Sequence, residues 1–367
     1  EFLADFGWPL DDAMLAGWFD GLPYPLHDMR PQGFLGRRLA RHHAEMLQVP
    51  QDPASWSDDH ALHAMSLLGS DLPGDFIVGE SACRRWLDRI PDARLDQGES
   101  AIADAELAQA YTARAEAAMG QGVVGSSAGG EFPTFAAMRA FADGQVQHVL
   151  VKFSGSDDSP GTRRWADLLV CEHLASQVLP KQLGVGAARS RIHRFGGRTY
   201  LEVDRFDRHG PLGRSGVVSW GSLNGALFGP AGVPWTEVGR QLAARGWLSG
   251  DDVEHLSLLW AFGQLIGNTD MHEGNLSFQR HAPDGQAGLV LAPAYDMLPM
   301  LYAPARGVEL PPRRFEPRLP LPAERGRWER AAEAAVAFWQ AAASDERISA
   351  DFRALCEANA AVLKKLL

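Results

Sequence analysis

Cysteine is scarce in this chain. Cys83, Cys171 and Cys356 are its only three, widely separated and outside any metal-binding or disulfide pattern, which suits a reducing cytoplasm and excludes a disulfide scaffold. No apolar run is long enough to cross a bilayer, and residues 1–30 lack the basic-then-apolar order of a signal segment, so no membrane role is expected. Positive charge is also short: 35 Lys and Arg face 46 Asp and Glu, a formal net charge of −11. That balance argues against direct nucleic-acid binding, which needs clustered cations to neutralise phosphates. The small clusters Arg37-Arg38 with Arg41-His42-His43, and Arg313-Arg314, read as solvated faces. A Gly-Lys-Ser/Thr phosphate loop is missing, and so is any internal repeat. The chain starts at Glu1 without an initiator Met, as a fragment or processed form would.

What the chain does carry is concentrated in Ile266-Gly-Asn-Thr-Asp-Met-His-Glu-Gly-Asn-Leu-Ser-Phe278, followed by Leu291-Ala-Pro-Ala-Tyr-Asp-Met297. Residues 251–266 are apolar nearly all round, so a helix buried in a lobe core is predicted, with Ser249 as N-cap and Gly267 as its end. Residues 276–278 read as a strand, 283–285 as a turn and 289–291 as the returning strand of a hairpin. Asn275 precedes the first strand and Asp296 follows the second, so antiparallel pairing brings both to one end, and Asp270 faces the same space. Phosphoryl transfer requires oxygen ligands for magnesium and a carboxylate that positions a hydroxyl nucleophile. Asp270, Asn275 and Asp296 fill those roles in order, while His272 orients the loop or meets the nucleotide. Taken singly, the same residues would also serve as turn formers or caps, or Asp270 and His272 as ligands of an unrelated metal.

The upstream half supplies the rest of a nucleotide site. Val146 to Phe153 is a β-rich run in which Lys152 sits among apolar neighbours, where an unpaired ammonium is costly and calls for an anionic partner. A helix predicted over 161–179 offers Asp167 and Glu172. Asp167 is preferred because it shares a stripe with Cys171, Leu174 and Val178, but helical periodicity leaves the choice open. Two β-rich runs over 190–203, broken by Gly196-Gly197, read as a hairpin leading into Asp204-Arg205-Phe206-Asp207, a connector whose backbone would meet adenine. Ahead of the Lys strand lies a Gly/Ser-rich run over 122–131, where Ser127, Gly129 and Gly130 leave amides open to phosphate oxygens.

The expected architecture is α+β and bilobal, of the protein-kinase type. Residues 1–118 form a mainly helical subdomain, 119–207 a strand-rich small lobe and 208–367 a helical large lobe.

These segments resemble HipA-type serine/threonine kinase toxins of toxin–antitoxin systems. The likeness lies in Ser126-Ser-Ala-Gly-Gly130, Val151-Lys152, Val203-Asp-Arg-Phe-Asp-Arg208, Gly267 to Asn275 and Leu291 to Asp296, and Arg30-Pro-Gln-Gly-Phe-Leu-Gly-Arg37 is similar to the YjjJ-like branch. The resemblance implies a HipA-like kinase fold with ATP and magnesium as cofactors. It makes Asp270 the catalytic base, Asn275 and Asp296 the magnesium ligands, Lys152 the phosphate contact and 204–206 the adenine connector, with Ser126 or Ser127 as the autophosphorylated loop serine. It also implies a protein substrate, in relatives an aminoacyl-tRNA synthetase whose modification arrests growth, and a HipB-like antitoxin partner. One triplet departs from the pattern: Glu131-Phe132-Pro133 stands where the family carries Gln-Pro-Lys or Gln-Glu-Lys. Two alternatives stay open, a small-molecule kinase of the aminoglycoside-phosphotransferase type and a catalytically weak nucleotide-binding regulator.

Overall fold

The structure, a computed structural model, describes residues 7–19, 21–95, 101–120, 132–229, 231–281, 288–305 and 309–367, with residues 89–95 as backbone. The Gly/Ser-rich residues Ser126, Ser127, Gly129 and Gly130 and the 283–285 turn lie outside this set.

Four antiparallel strands make the sheet of the small lobe: β1 (Thr134–Ala140), β2 (Val146–Phe153), β3 (Ser190–Phe195) and β4 (Arg198–Asp204), in the order β1-β2-β4-β3. Gly196 and Gly197 both adopt positive φ, as a tight two-residue hairpin between β3 and β4 requires. Alternation along β2 decides what faces the cleft. Val149, Val151 and Phe153 are fully buried on one face with Phe135, Ala137 and Tyr200, under Leu107, Tyr111 and Ala115 of the helix Leu107–Gly120. Leu150 and Lys152 therefore point the other way, beside Val203 and Leu201, their partners on β4. On the helix-covered face Glu202 is completely buried and accepts hydrogen bonds from Tyr111 and from Arg139 Nε, at 3.0 Å. Burial alone would raise its pKa, but His193, Tyr111 and Arg139 outweigh that and hold it at about 2.

The next helix, α1 (Pro160–Val178), starts with Ser159 capping Thr162 N–H and Pro160 in the first turn, as predicted to within one residue. It is buried nearly all round, packed between the sheet and the C-terminal helices. His173 on this helix bonds Ser190 Oγ at 2.9 Å and Gln177 at 3.0 Å. Burial, then the nearby Arg347, lower its pKa to about 4, against the opposing pull of Asp345. The unfolded chain takes up this proton near pH 6.5, so between about 4 and 6.5 it binds more protons than the folded one. Stability contributed by neutral His173 should thus be complete above about pH 6.5 and disappear as pH falls towards 4. Denaturant midpoints at pH 7 and 5 test this: His173→Gln should shrink the difference, and an unaltered difference would contradict the assignment.

In the large lobe, α2 (Gly250–Leu265) is capped by Ser249 and runs through the core between the helix Trp235–Ala244 and α3 (Arg325–Ser344). Gly267 follows at φ +72°, turning the chain out of the helix as predicted. Three further strands, Val217–Ser219, Ser277–His281 and Gly288–Leu291, pair antiparallel in that order, with Phe278 opposite Leu291. The last helix, α4 (Ala350–Lys364), packs on α3, which backs α1 and its π-helical extension Leu179–Leu183, while α4 meets α1 where the Arg164 guanidinium lies over the Phe352 ring. Among the described residues no helix is long and apolar enough to cross a membrane.

In the N-terminal region the helices Gly33–Leu47 and Asp58–Leu68 share small apolar clusters of their own, and the helix Glu80–Leu95 packs on Asp58–Leu68. Polar contacts join this region to both lobes. Asp28 accepts from Ser219 N–H and Oγ at 2.6 Å and from Ser222 Oγ at 2.9 Å, while Asp75 pairs with Arg280 at 3.0 Å.

Candidate active site

A cavity of about 800 Å³ opens below the small-lobe sheet. Ala136, Leu150, Lys152 and Val203 line it from the strands, the connector from one side, and Gly274, Tyr295 and Asp296 from the large lobe. Its size is that of a small-molecule site, roughly 300–1,000 Å³.

Lys152 Nζ bonds both oxygens of Glu172, at 2.8 and 2.9 Å, and also contacts Asp296 Oδ1. The strand lysine therefore pairs with Glu172, which corrects the preference for Asp167. Asp167 accepts from Ser349 N–H at 2.7 Å and from Ser349 Oγ at 2.5 Å, at the N-terminus of α4. The stripe it shares with Cys171 faces the C-terminal helices, because α1 is covered on both sides and its apolar stripe does not mark the sheet side. Over Lys152 lies the Phe132 ring, with its centroid 6.0 Å from Nζ and packed edge-on against Trp165 at 4.7 Å. The departing triplet thus places an aromatic ring against the half-buried ion pair.

The loop after α2 is tied by its own side chains. Asn268, buried, donates from Nδ2 to the Asp296 carbonyl at 3.1 Å and accepts from Asp270 N–H at 3.0 Å, so one amide links the catalytic-type loop to the strand-end aspartate. Sequence pattern assigns Asn268 no role of its own; the clue it offers is an Asn directly after a helix-ending glycine. Asn275 donates from Nδ2 to the Asp270 carbonyl at 2.8 Å, which turns its Oδ1 outward from that bond. His272 is exposed and accepts from Gly274 N–H at 3.0 Å, capping the short turn Glu273–Asn275, so its visible work is to shape the loop. Tyr295 OH donates to the Gly274 carbonyl at 2.8 Å and meets Ser277 Oγ at 2.7 Å. Asp296 sits at φ +54°, one of two non-glycine residues with positive φ among those described. Aspartate tolerates that region better than most residues, and its occupation here turns the carboxylate towards Lys152. Asp270 and Asn275 do not line the cavity themselves; they share a loop with Gly274, which does.

The connector divides its residues. Phe206 presents its ring 6.0 Å from that of Tyr295, and its carbonyl accepts from Gln279 Nε2 at 3.2 Å. Asp204 is held by Arg191 at 2.6 Å. Arg205 and Asp207 form a buried pair at 2.9 Å that extends to Arg208, Asp71 and Gly74 N–H. Their side chains thus lock the connector to the N-terminal region, though all four residues contribute to the cavity lining. Among the described residues no group of three or more His, Cys, Asp and Glu is gathered for a metal.

Two family models match the chain. Residues 126–362 match the HipA-like C-terminal domain, and residues 2–87 match the middle domain of YjjJ-like toxins. Toxin YjjJ of Escherichia coli (strain K12) is 35% identical over 363 residues, an overlap of 95% of this chain and 77% of that protein. Among solved structures, HipA of Shewanella oneidensis MR-1, determined with HipB and operator DNA, superposes at a TM-score of 0.41 with 20% identity. That match takes in 59% of this chain and 57% of the HipA chain. The proinflammatory kinase CtkA of Helicobacter pylori gives 0.40 with 12% identity, covering 63% of this chain and 90% of its own.

Proposed function

This chain belongs to the HipA-like toxin family, in the branch of the YjjJ-like toxins, and from that membership and its cleft we propose that it is an ATP- and magnesium-dependent serine/threonine protein kinase. The observation that carries the reading is Lys152, bonded to Glu172 and in contact with Asp296 inside a cavity bounded by the connector. A half-buried ammonium held between two carboxylates adds little stability by itself, whereas placed beside a polyphosphate it supplies a fixed positive charge.

The donor chemistry fits magnesium, since Asp296 and Asn275 offer only oxygen towards a hard cation. Magnesium-ATP, when bound, supplies the phosphoryl group. Glu172 holds the Lys152 ammonium in place for phosphate oxygens, Asn268 keeps Asp296 and the Asp270 loop in register, and Asp270 orients the acceptor hydroxyl and takes its proton. The acceptor is a Ser or Thr of a cytoplasmic protein, by family resemblance an aminoacyl-tRNA synthetase, and in self-modification Ser126 or Ser127. A dianionic phosphate there would repel nucleotide phosphates and silence the enzyme. A HipB-like antitoxin is the expected partner.

Intact-mass measurement and phosphosite mapping after incubation with magnesium-ATP test this reading. Phosphate gained at Ser126 or Ser127, and absent in Asp270→Asn, is the expected result. Binding of ATP without any transfer, to itself or to added protein, would favour the regulator, and no ATP binding at all would end the kinase reading.

A further inference from the structure

The cleft has a wall that neither kinase lobe supplies. Gln32, Leu35, Arg38, Leu39 and His42, on and just before the helix Gly33–Leu47, line the same cavity as Lys152, Glu172 and Asp296. Leu35 leaves 38% of its surface exposed, and it does so in a cavity shared with the apolar positions Ala136, Leu150 and Val203. Water-facing leucine in a concave, largely apolar site is surface that a bound molecule can cover at a gain. Arg38 follows one turn later on the same helix face, bringing a cation to a site that already contains Lys152. This wall is anchored at three points. Asp28 binds Ser219 and Ser222 of the large lobe, Asp71 pairs with Arg205 of the connector and with Arg208 just after it, whose guanidinium also donates to the Gly74 carbonyl, and Asp75 holds Arg280. It belongs to the site as built, since moving it away would break buried charge contacts.

We infer that the N-terminal region completes the nucleotide pocket, with Leu35 covering an apolar face of the nucleoside and Arg38 donating N–H bonds to the phosphates. The inference rests on the kinase reading above and assigns to that region a direct part in ligand binding. A charged guanidinium beside a polyphosphate gives short, strong hydrogen bonds, and it distinguishes ADP from the uncharged nucleoside.

The test is calorimetric titration of the full chain with ADP and magnesium, and separately with adenosine. Leu35→Asp should weaken both ligands at least about tenfold, by placing a carboxylate where an apolar face must lie. Arg38→Gln should weaken ADP by about fivefold to tenfold while leaving adenosine within about twofold. Leu319→Asp, at an exposed leucine outside the cavity, should bind as the unaltered chain does, with melting temperatures alike throughout. ADP affinities unchanged in Leu35→Asp and Arg38→Gln would overturn this inference and leave the kinase reading standing. Weakening that appears equally in Leu319→Asp, or only together with a lowered melting temperature, would also overturn it, by showing an effect on the fold and not on a contact. Failure of the unaltered chain to bind either ligand would overturn both.

Discussion

Asp270→Asn should lower phosphoryl transfer by about 10²- to 10⁴-fold, with the fold and nucleotide affinity essentially retained. The substitution exchanges a carboxylate for an amide of the same shape, so the Asn268 bond to the Asp270 N–H and the Asn275 bond to its carbonyl, both made by backbone, persist. What is lost is a group able to accept the proton of an attacking hydroxyl. Because Asp270 does not line the cavity that holds Lys152 and the connector, ADP should bind nearly as before. Single-turnover transfer from ATP, beside ADP titration of the same preparation, separates the two. Turnover near that of the unaltered chain would remove Asp270 from the chemistry; a parallel loss of ADP binding would assign it to the nucleotide site instead.

Asp207→Ala is expected to destabilise the protein by about 3–5 kcal/mol, the cost of leaving buried charge uncompensated. Asp207 faces Arg205 at 2.9 Å and Arg208 at 2.7 Å and accepts from Gly74 N–H at 3.0 Å, all in buried surroundings. Its removal leaves Asp71 as the sole carboxylate described against these two guanidinium groups, with Arg214 nearby, whose own pKa burial and Arg208 lower to about 10. The network joins the connector to the N-terminal region, so loss of stability should come with weaker nucleotide binding. Urea denaturation read by tryptophan fluorescence measures the effect, and a change below about 1 kcal/mol would mean that water or neighbouring groups compensate the charge. Asp207→Asn, which keeps the Gly74 bond but not the charge, should fall between the two.

Local pattern was enough for the elements that build the site. A β-rich run placed β2 at its observed limits, Ser249 and Gly267 marked the ends of α2, and paired glycines marked the β3–β4 hairpin, because each signal reflects backbone geometry within a few residues. The order of those elements and the Asp270, Asn275 and Asp296 spacing were legible for the same reason, as was the demand of Lys152 for an anionic partner. Which carboxylate would answer was not. Asp167 and Glu172 lie on a helix buried on both sides, so its sequence has no solvent face to orient it, and only the packing of α4 against one side shows that Asp167 is engaged by Ser349. Likewise Arg38 and His42 read as surface charge along the chain, since nothing within their own helix reveals that it closes a cleft over 100 residues away. Sequence by itself determined the chemical groups and the secondary structure carrying them, which depend on short-range geometry; tertiary structure decided the pairings and the walls of the cleft, which depend on contacts between residues far apart in the chain.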